Sequence, residues 1–165
     1  MSTLNIRAFK AADIDAISGW LDSSRNNPWS ANTIVEVLEK KHYRLLVSEQ
    51  ASVVNGLCLF TLVADECNLL YIAVDAQYRK QGIGRQLLNA LLNQSRQHNI
   101  SRVFLEVRNS NQAAIALYKA AGFIQSAERK NYYPIIESSL VNRVDGVNSQ
   151  RETALLFDLS LEEKN

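Results

Sequence analysis

The stretch IAVDAQYRKQGIGRQLL, residues 72–88, sets Gly82 and Gly84 where a β-prone run gives way to a helical one. Backbone N–H groups can converge on an anion there. Arg79, Lys80 and Arg85 add positive charge, and the following helix adds unpaired N–H groups and the positive end of its dipole. Gly82 permits a tight turn, and Gly84 lets an extended ligand approach the backbone. Such a loop either cradles a phosphate or pyrophosphate or is a plain structural turn. A Walker loop needs GxxxxGK followed by Ser or Thr, which is absent, and the dinucleotide fingerprint needs a third glycine where Leu87 stands. ATP and NAD are therefore poor candidates, and another phosphorylated ligand is the better one.

Two further residues have chemistry to offer. Glu106 is the odd member of RVFLEVR, near the C-terminal end of a strand built from Val103, Phe104, Leu105 and Val107. Alternation places it on the face of Phe104, in a sheet whose two faces are expected to be helix-covered. A carboxylate in that position must pair, for instance with Arg108 or a neighbour, raise its pKa, or face a cleft. In a cleft it is a general base suited to collecting a proton from an amine, directly or through water. Tyr118 follows in the next helix, where Ala114, Leu117 and Ala121 make a packed stripe that leaves it angled away beside Ile115. It is either an amphipathic packing residue or a proton donor.

Other candidates are weaker. Cys58 and Cys67 sit in the apolar settings GLCLF and ECNLL, as packed core thiols do, and His42 and His98 are too isolated to complete a metal site, so no metal is expected. The 18 Lys and Arg against 17 Asp and Glu leave a net charge of +1, without the excess that makes nucleic acid a default partner. No long apolar run and no basic-then-apolar start are present, which points to the cytoplasm and away from membranes.

Elements must hold these residues in place. At 165 residues, with 47% hydrophobic side chains, the chain is the size of one domain, residues 1–165, large enough for a core without disulfides or metals. Ile6 to Phe9 reads as a strand, and Ile14, Ile17 and Leu21 share one helical face. Ser30 is an N-cap for a helix burying Ile34, Val37 and Leu38. YRLLVSE is a strand, and VVNGLCLFTLVA and CNLLYIAV form an antiparallel hairpin around Asp65 and Glu66. A helix from Gly84 to His98 follows, with a strand from Arg102 to Arg108 and a helix from Gln112 to Ala121, stopped by Gly122. Strands from Phe123 toward Tyr132 and at TALLFDL close the chain. The result is an α/β fold with a mixed, mostly antiparallel central sheet flanked by helices.

The run RKQGIGR resembles the pyrophosphate loop of the GNAT superfamily of N-acetyltransferases. LEVRNSNQAAIALYKAAGF and RKNYYP resemble the bacterial ribosomal-protein-alanine N-acetyltransferase family within it, which acetylates the N-terminus of small-subunit protein S18. The likeness spans nearly the whole chain and includes Pro28-Trp29-Ser30. It implies the acyl-CoA N-acyltransferase fold, acetyl-CoA as co-substrate, and a protein N-terminal segment, that of S18, as partner. It implies Glu106 as proton acceptor and Tyr118 as proton donor to the departing thiolate. Cofactor contacts then fall to Ile72, Ala73 and Val74 along the pantetheine arm, to Lys80, Gln81, Gly82, Ile83, Gly84 and Arg85 around the pyrophosphate, and to Asn111. By position alone Asn111 is equally a helix cap.

The same likeness places Trp29, Tyr132 and Tyr133 at the acceptor mouth, although each alone reads as a core or hinge aromatic. Two alternatives share the scaffold: an acetyltransferase for lysine, a polyamine or another small amine, and a non-catalytic acyl-CoA-binding regulator. One departure concerns substrate choice. Between Pro134 and Arg151 the chain inserts IIESSLVNRVDGVNSQ, longer than the resemblance implies and expected as a surface hairpin, and Thr153 stands where an acidic residue precedes the last strand. Oligomeric state is not readable beyond a slight preference for the monomer.

Overall fold

The computed structural model describes residues 3–21, 27–134 and 151–161. The long insertion after Pro134 lies outside these residues.

The strands are β1 (Asn5–Ala8), β2 (Tyr43–Gln50), β3 (Val53–Val63), β4 (Glu66–Val74), β5 (Arg102–Arg108), β6 (Ile124–Pro134) and β7 (Arg151–Ser160). They form one sheet in the order β1-β2-β3-β4-β5-β7-β6. Every pairing is antiparallel except β4 with β5. The helices are α1 (Ile14–Trp20), α2 (Ala31–Leu38), α3 (Ile83–Gln97) and α4 (Gln112–Ala120). No helix among the described residues is long and apolar enough to cross a membrane.

The locally signalled elements form where expected. Ser30 caps α2 by accepting from the Thr33 amide at 3.2 Å. Gly122, at φ +95°, ends α4 in the left-handed conformation that glycine adopts without steric cost. The final strand pair forms too, but β7 lies between β5 and β6, so the last strand of the chain is central rather than marginal.

Burial follows from which faces the helices cover. In β3, Cys58 and Phe60 join the core under α3 and α4, while Leu57 and Leu59 join the second core under α1 and α2. With both faces buried, the strand reads as a continuous apolar run. In β5, Val103, Leu105 and Val107 enter the α3 and α4 core, whereas Phe104, Glu106 and Arg108 point the other way and are not buried. Among the described residues, helices α1 and α2 pack chiefly on β2 and β3, and no residue of β5 joins their core. Among the described residues, the helix cover expected on both faces is seen on only one face of β5, and Glu106 projects from the other into a trough.

Close packing of α3 on the sheet requires Gly56. A Cβ there would lie 2.6 Å from Ser48 Oγ, 3.1 Å from Leu87 Cδ1 and 3.2 Å from the Ala73 carbonyl oxygen. The Ser48 hydroxyl is committed to Asn55 Oδ1 at 2.7 Å, and the carbonyl belongs to the backbone of β4. Gly56→Ala is expected to cost about 1–3 kcal/mol by overpacking. At roughly 2–4 °C per kcal/mol for a chain of this size, thermal denaturation should show a melting point several degrees lower.

Candidate active site

Strands β4 and β5 are parallel neighbours only over the first part of their length. Their register runs from Glu66↔Arg102 to Leu69↔Leu105, and no pair lies beyond it among the described residues. The cause is visible in the pairing of β4 with β3, where Leu59 faces Tyr71 but Phe60 faces Leu69. Leu70 is thus an extra residue, a bulge that bends β4 away from β5 and reverses the phase of its side chains. Before it, Cys67 and Leu69 point into the α3 and α4 core. After it, Ile72 and Val74 do so, while Tyr71 and Ala73 face α1 and α2. Residues 71–74 keep their pairing with β3 and, among the described residues, present an unpaired edge toward the gap.

The loop at the end of that edge suits an anion. Asp75 caps a short 3-10 turn, Ala76–Tyr78, through a 3.1 Å bond from the Gln77 amide. Lys80 (φ +60°) and Gly82 (φ +80°) then curl the backbone, and Gly82 becomes the N-cap of α3 without any side-chain cap. The first-turn amides of Ile83, Gly84 and Arg85 have no intrahelical partners. Arg79 donates from Nε to the Val74 carbonyl at 3.1 Å and has no ion pair with an acid among the described residues. A Cβ at Gly84 would meet Leu117 Cδ2 at 3.6 Å, an ordinary contact, so α4 passes beside α3 at this point. Uncapped amides, two left-handed residues and exposed cations fit a diphosphate, and the open β4 edge fits an extended amide-bearing arm.

Two cavities meet at the splayed strands. One, of about 560 Å³, is lined by Ile72, Glu106, Asn111 and Tyr118, with Trp29 and Tyr133 at its rim. The other, of about 640 Å³, runs along β5, β7 and β6 and includes Phe104, Arg129 and Tyr132. Trp29, Leu70, Glu106 and Tyr133 line both. Ala73, Val74 and residues 80–85 line neither; they continue from the first cavity along β4 into α3.

Glu106 stands at this junction and pairs with Arg129 Nη1 at 3.2 Å. It does not pair with Arg108, which is held at 2.9 Å by Glu152 and donates to the Pro134 carbonyl. Burial works to raise the Glu152 pKa, but bonds from Ser110 and Arg108 outweigh it and hold the carboxyl below the ordinary range. The network ties the ends of β5, β6 and β7 together and stacks the Arg108 guanidinium 4.3 Å over the Tyr133 ring. Burial, and then the charge of Glu106, push the Tyr133 phenol up, so it stays protonated beside the carboxylate.

Tyr118 is a buried residue of α4 together with Ile115, whereas Ala114 and Leu117 are only half-buried. This corrects the expected packing stripe: the helix is rolled so that Tyr118 enters the core and packs on Phe123 at 5.9 Å while still lining the first cavity. Its hydroxyl makes no hydrogen bond among the described residues. Burial raises its pKa far above the ordinary phenol value, and it is neutral at physiological pH. Asn111 caps α4, its Oδ1 accepting from the Ala114 amide at 3.2 Å, and also lines the first cavity. Both of its readings are thus compatible with its place.

Burial pushes the Cys67 thiol up to about 11, and Cys58 is fully buried, so both are protonated core thiols. Among the described residues no group of three or more His, Cys, Asp or Glu could hold a metal ion.

Several site residues were not singled out by sequence reasoning. Asn27 makes an Asx turn, accepting from the Trp29 amide at 3.0 Å, and its Nδ2 donates to Tyr71 Oη at 3.1 Å, which ties the Pro28–Trp29 loop to β4. The Asn-Pro pair was the available signal. Arg129 lies within the RKNYYP run but could not be matched to Glu106 without the fold. Between Arg129↔Ala154 and Tyr133↔Glu152 the β6–β7 register slips, with Asn131 at φ +54°, and this irregularity sets Tyr132 and Tyr133 over the trough with their rings edge-on at 5.0 Å.

With this geometry in place, comparison with known proteins is informative. A model of the acetyltransferase (GNAT) family matches residues 14–123. The [ribosomal protein bS18]-alanine N-acetyltransferase of Haemophilus ducreyi is 40% identical over 117 residues, covering 71% of this chain and 80% of the relative. Its Escherichia coli K12 counterpart is 36% identical over 107 residues, covering 65% and 72%. The crystal structure of the ribosomal-protein-S18-alanine N-acetyltransferase from Escherichia coli superposes with a TM-score of 0.81 at 29% identity, over 99% of this chain and 97% of that one.

Proposed function

The chain belongs to the GNAT acetyltransferase family and is an acetyl-CoA-dependent N-acetyltransferase, and from that premise we propose that its acceptor is a protein N-terminal α-amine, the N-terminal alanine of ribosomal protein S18. The observation that supports this reading is the meeting of two cavities at Glu106: one holds Ile72 of β4, beyond which the strand continues to the N-terminus of α3, and the other runs along β5, β7 and β6. An acceptor entering from the second cavity reaches a donor in the first without passing through a covalent enzyme intermediate. The likeness to the S18-alanine enzymes of two organisms supports the choice of acceptor.

Acetyl-CoA supplies an activated acetyl thioester when bound. The backbone of Ile72, Ala73 and Val74 holds its extended arm, Lys80, Gln81, Gly82, Ile83, Gly84 and Arg85 hold its diphosphate, and the side-chain amide of Asn111 reaches the same cavity. Glu106 takes the proton from the acceptor ammonium, directly or through water, leaving a neutral amine able to attack. A backbone N–H of the open β4 edge near Val74 polarises the acetyl carbonyl. Tyr118 donates its hydroxyl hydrogen toward the departing sulfur.

An α-amine suits this base better than a lysine does. Their ordinary pKa values, about 8 and about 10.4, differ by roughly 2.4 units, so deprotonating the N-terminus costs about 3 kcal/mol less. Trp29, Tyr132 and Tyr133 narrow the mouth in favour of a small first residue. The test is a mass-spectrometric acetylation assay on three peptides: the S18 N-terminal segment, the same segment N-blocked, and an N-blocked peptide carrying Lys. Product is expected on the first alone. Acetylation of the lysine peptide at a comparable rate would reject the α-amine assignment.

A further inference from the structure

The ion pair on Glu106 assigns a role to a residue outside the donor site. Arg129 Nη1 lies 3.2 Å from Glu106 Oε2, and both line the cavity that runs along β5, β7 and β6. The guanidinium therefore occupies the place that an acceptor ammonium must take to reach the carboxylate. It is not locked there. The Arg129 side chain is 51% exposed, its guanidinium also rests 5.3 Å over the Tyr132 ring, and it projects from the last regular β6–β7 pair before the slipped register. A guanidinium over an aromatic face keeps a favourable interaction of its own. In one position the side chain thus holds two contacts, the ion pair on Glu106 and the Tyr132 ring, and the second does not depend on the first. The other nearby arginine, Arg108, is committed to Glu152 and Tyr133 and offers no alternative partner.

We infer that Arg129 is a specificity-determining residue that stands in for the acceptor's ammonium on Glu106 and is exchanged for it, charge for charge, when the acceptor binds. The inference rests on Glu106 receiving the acceptor amine. It follows that a charged N-terminus repays the displacement of Arg129, while a neutral, already acetylated terminus does not. Arg129 then returns to Glu106 once the product is formed and favours its release. The discrimination between substrate and product is built into the trough rather than into the donor site.

The experiment measures binding of the S18 N-terminal peptide and of its N-acetylated form by calorimetry, with CoA present so that no turnover occurs. The proteins are wild type, Arg129→Gln, Arg129→Lys, Glu106→Gln and the Arg129→Gln, Glu106→Gln double variant. Because exposed ion pairs are worth up to about 1 kcal/mol, Arg129→Gln is expected to bind the free-amine peptide roughly two- to fivefold more tightly. The N-acetylated peptide should bind it as it binds wild type, and Arg129→Lys, which keeps the charge, should stay near wild type. In the Glu106→Gln background the gain should disappear.

Unchanged or weaker binding of the free-amine peptide by Arg129→Gln would overturn the exchange, as would equal tightening of both peptides, which would mean simple steric relief. If Glu106→Gln leaves both peptide binding and turnover intact, the assignment of Glu106 fails and the exchange falls with it. If Glu106→Gln abolishes turnover while Arg129→Gln shows no tightening, only the exchange fails.

Discussion

Glu106→Gln is expected to lower kcat on the acceptor peptide by about 10²- to 10⁴-fold, the usual contribution of a positioned general base, while leaving acetyl-CoA affinity near that of wild type. The substitution is nearly isosteric and removes only the ability to accept the proton. Glu106 lies on the face of β5 turned away from the α3 and α4 core, and its structural partner is a half-exposed arginine, so the fold should tolerate the change. Pre-steady-state acetylation at several pH values is the decisive measurement. A true loss of the base lets the residual rate rise with pH as the fraction of neutral amine grows in solution. A wild-type rate at neutral pH would remove Glu106 from the mechanism and leave it as half of a surface ion pair, a role worth little to stability.

Tyr118→Phe is expected to reduce kcat by about a hundredfold, in line with the loss of one preorganised donor, with the acceptor KM little changed. The phenol packs on Phe123 within the core, and its hydroxyl has no hydrogen-bond partner among the described residues. Phenylalanine keeps the ring and removes only that hydroxyl, so the melting temperature should stay within a degree or two of wild type. Loss of activity without loss of stability is the pattern a packing residue cannot produce. Burial holds the hydroxyl protonated well beyond neutral pH, so it is available as a donor throughout the working range. For the same reason a free phenolate is disfavoured, and the hydroxyl acts chiefly by hydrogen-bonding to the sulfur as charge builds on it. A donor with a better leaving group than CoA should partly restore the rate of Tyr118→Phe, whereas unaltered kcat would leave Tyr118 as packing alone.

What was legible in the chain was what depends on near neighbours. The Ser30 cap, the turn that Gly122 makes, the β3–β4 hairpin and the glycine loop before α3 each rest on interactions within a few residues, and each forms where its local signal stands. Glu106 could be picked out because one carboxylate in an apolar strand is conspicuous whatever surrounds it. The rolled helix around Tyr118 was misread because Ala114, Leu117 and Ala121 look as apolar as Ile115. Which stripe is buried depends on the sheet beneath it, where Tyr118 finds Phe123.

The sequence by itself determined the elements, the glycine loop before α3 and the two titratable side chains, Glu106 and Tyr118, that stand out as candidates, because backbone propensity, helix capping and side-chain ionisation are local properties. The tertiary structure alone decided how they meet. The bulge at Leu70 parts β4 from β5, and the insertion of β7 beside β5 brings β6 close enough for Arg129 to reach Glu106 and to line the second cavity with it. These are long-range pairings, and their free energy depends on surfaces far apart in the chain, so no window of sequence carries them. The side chains themselves were written locally, but which of them meet, and which cavities they share, was set by the sheet.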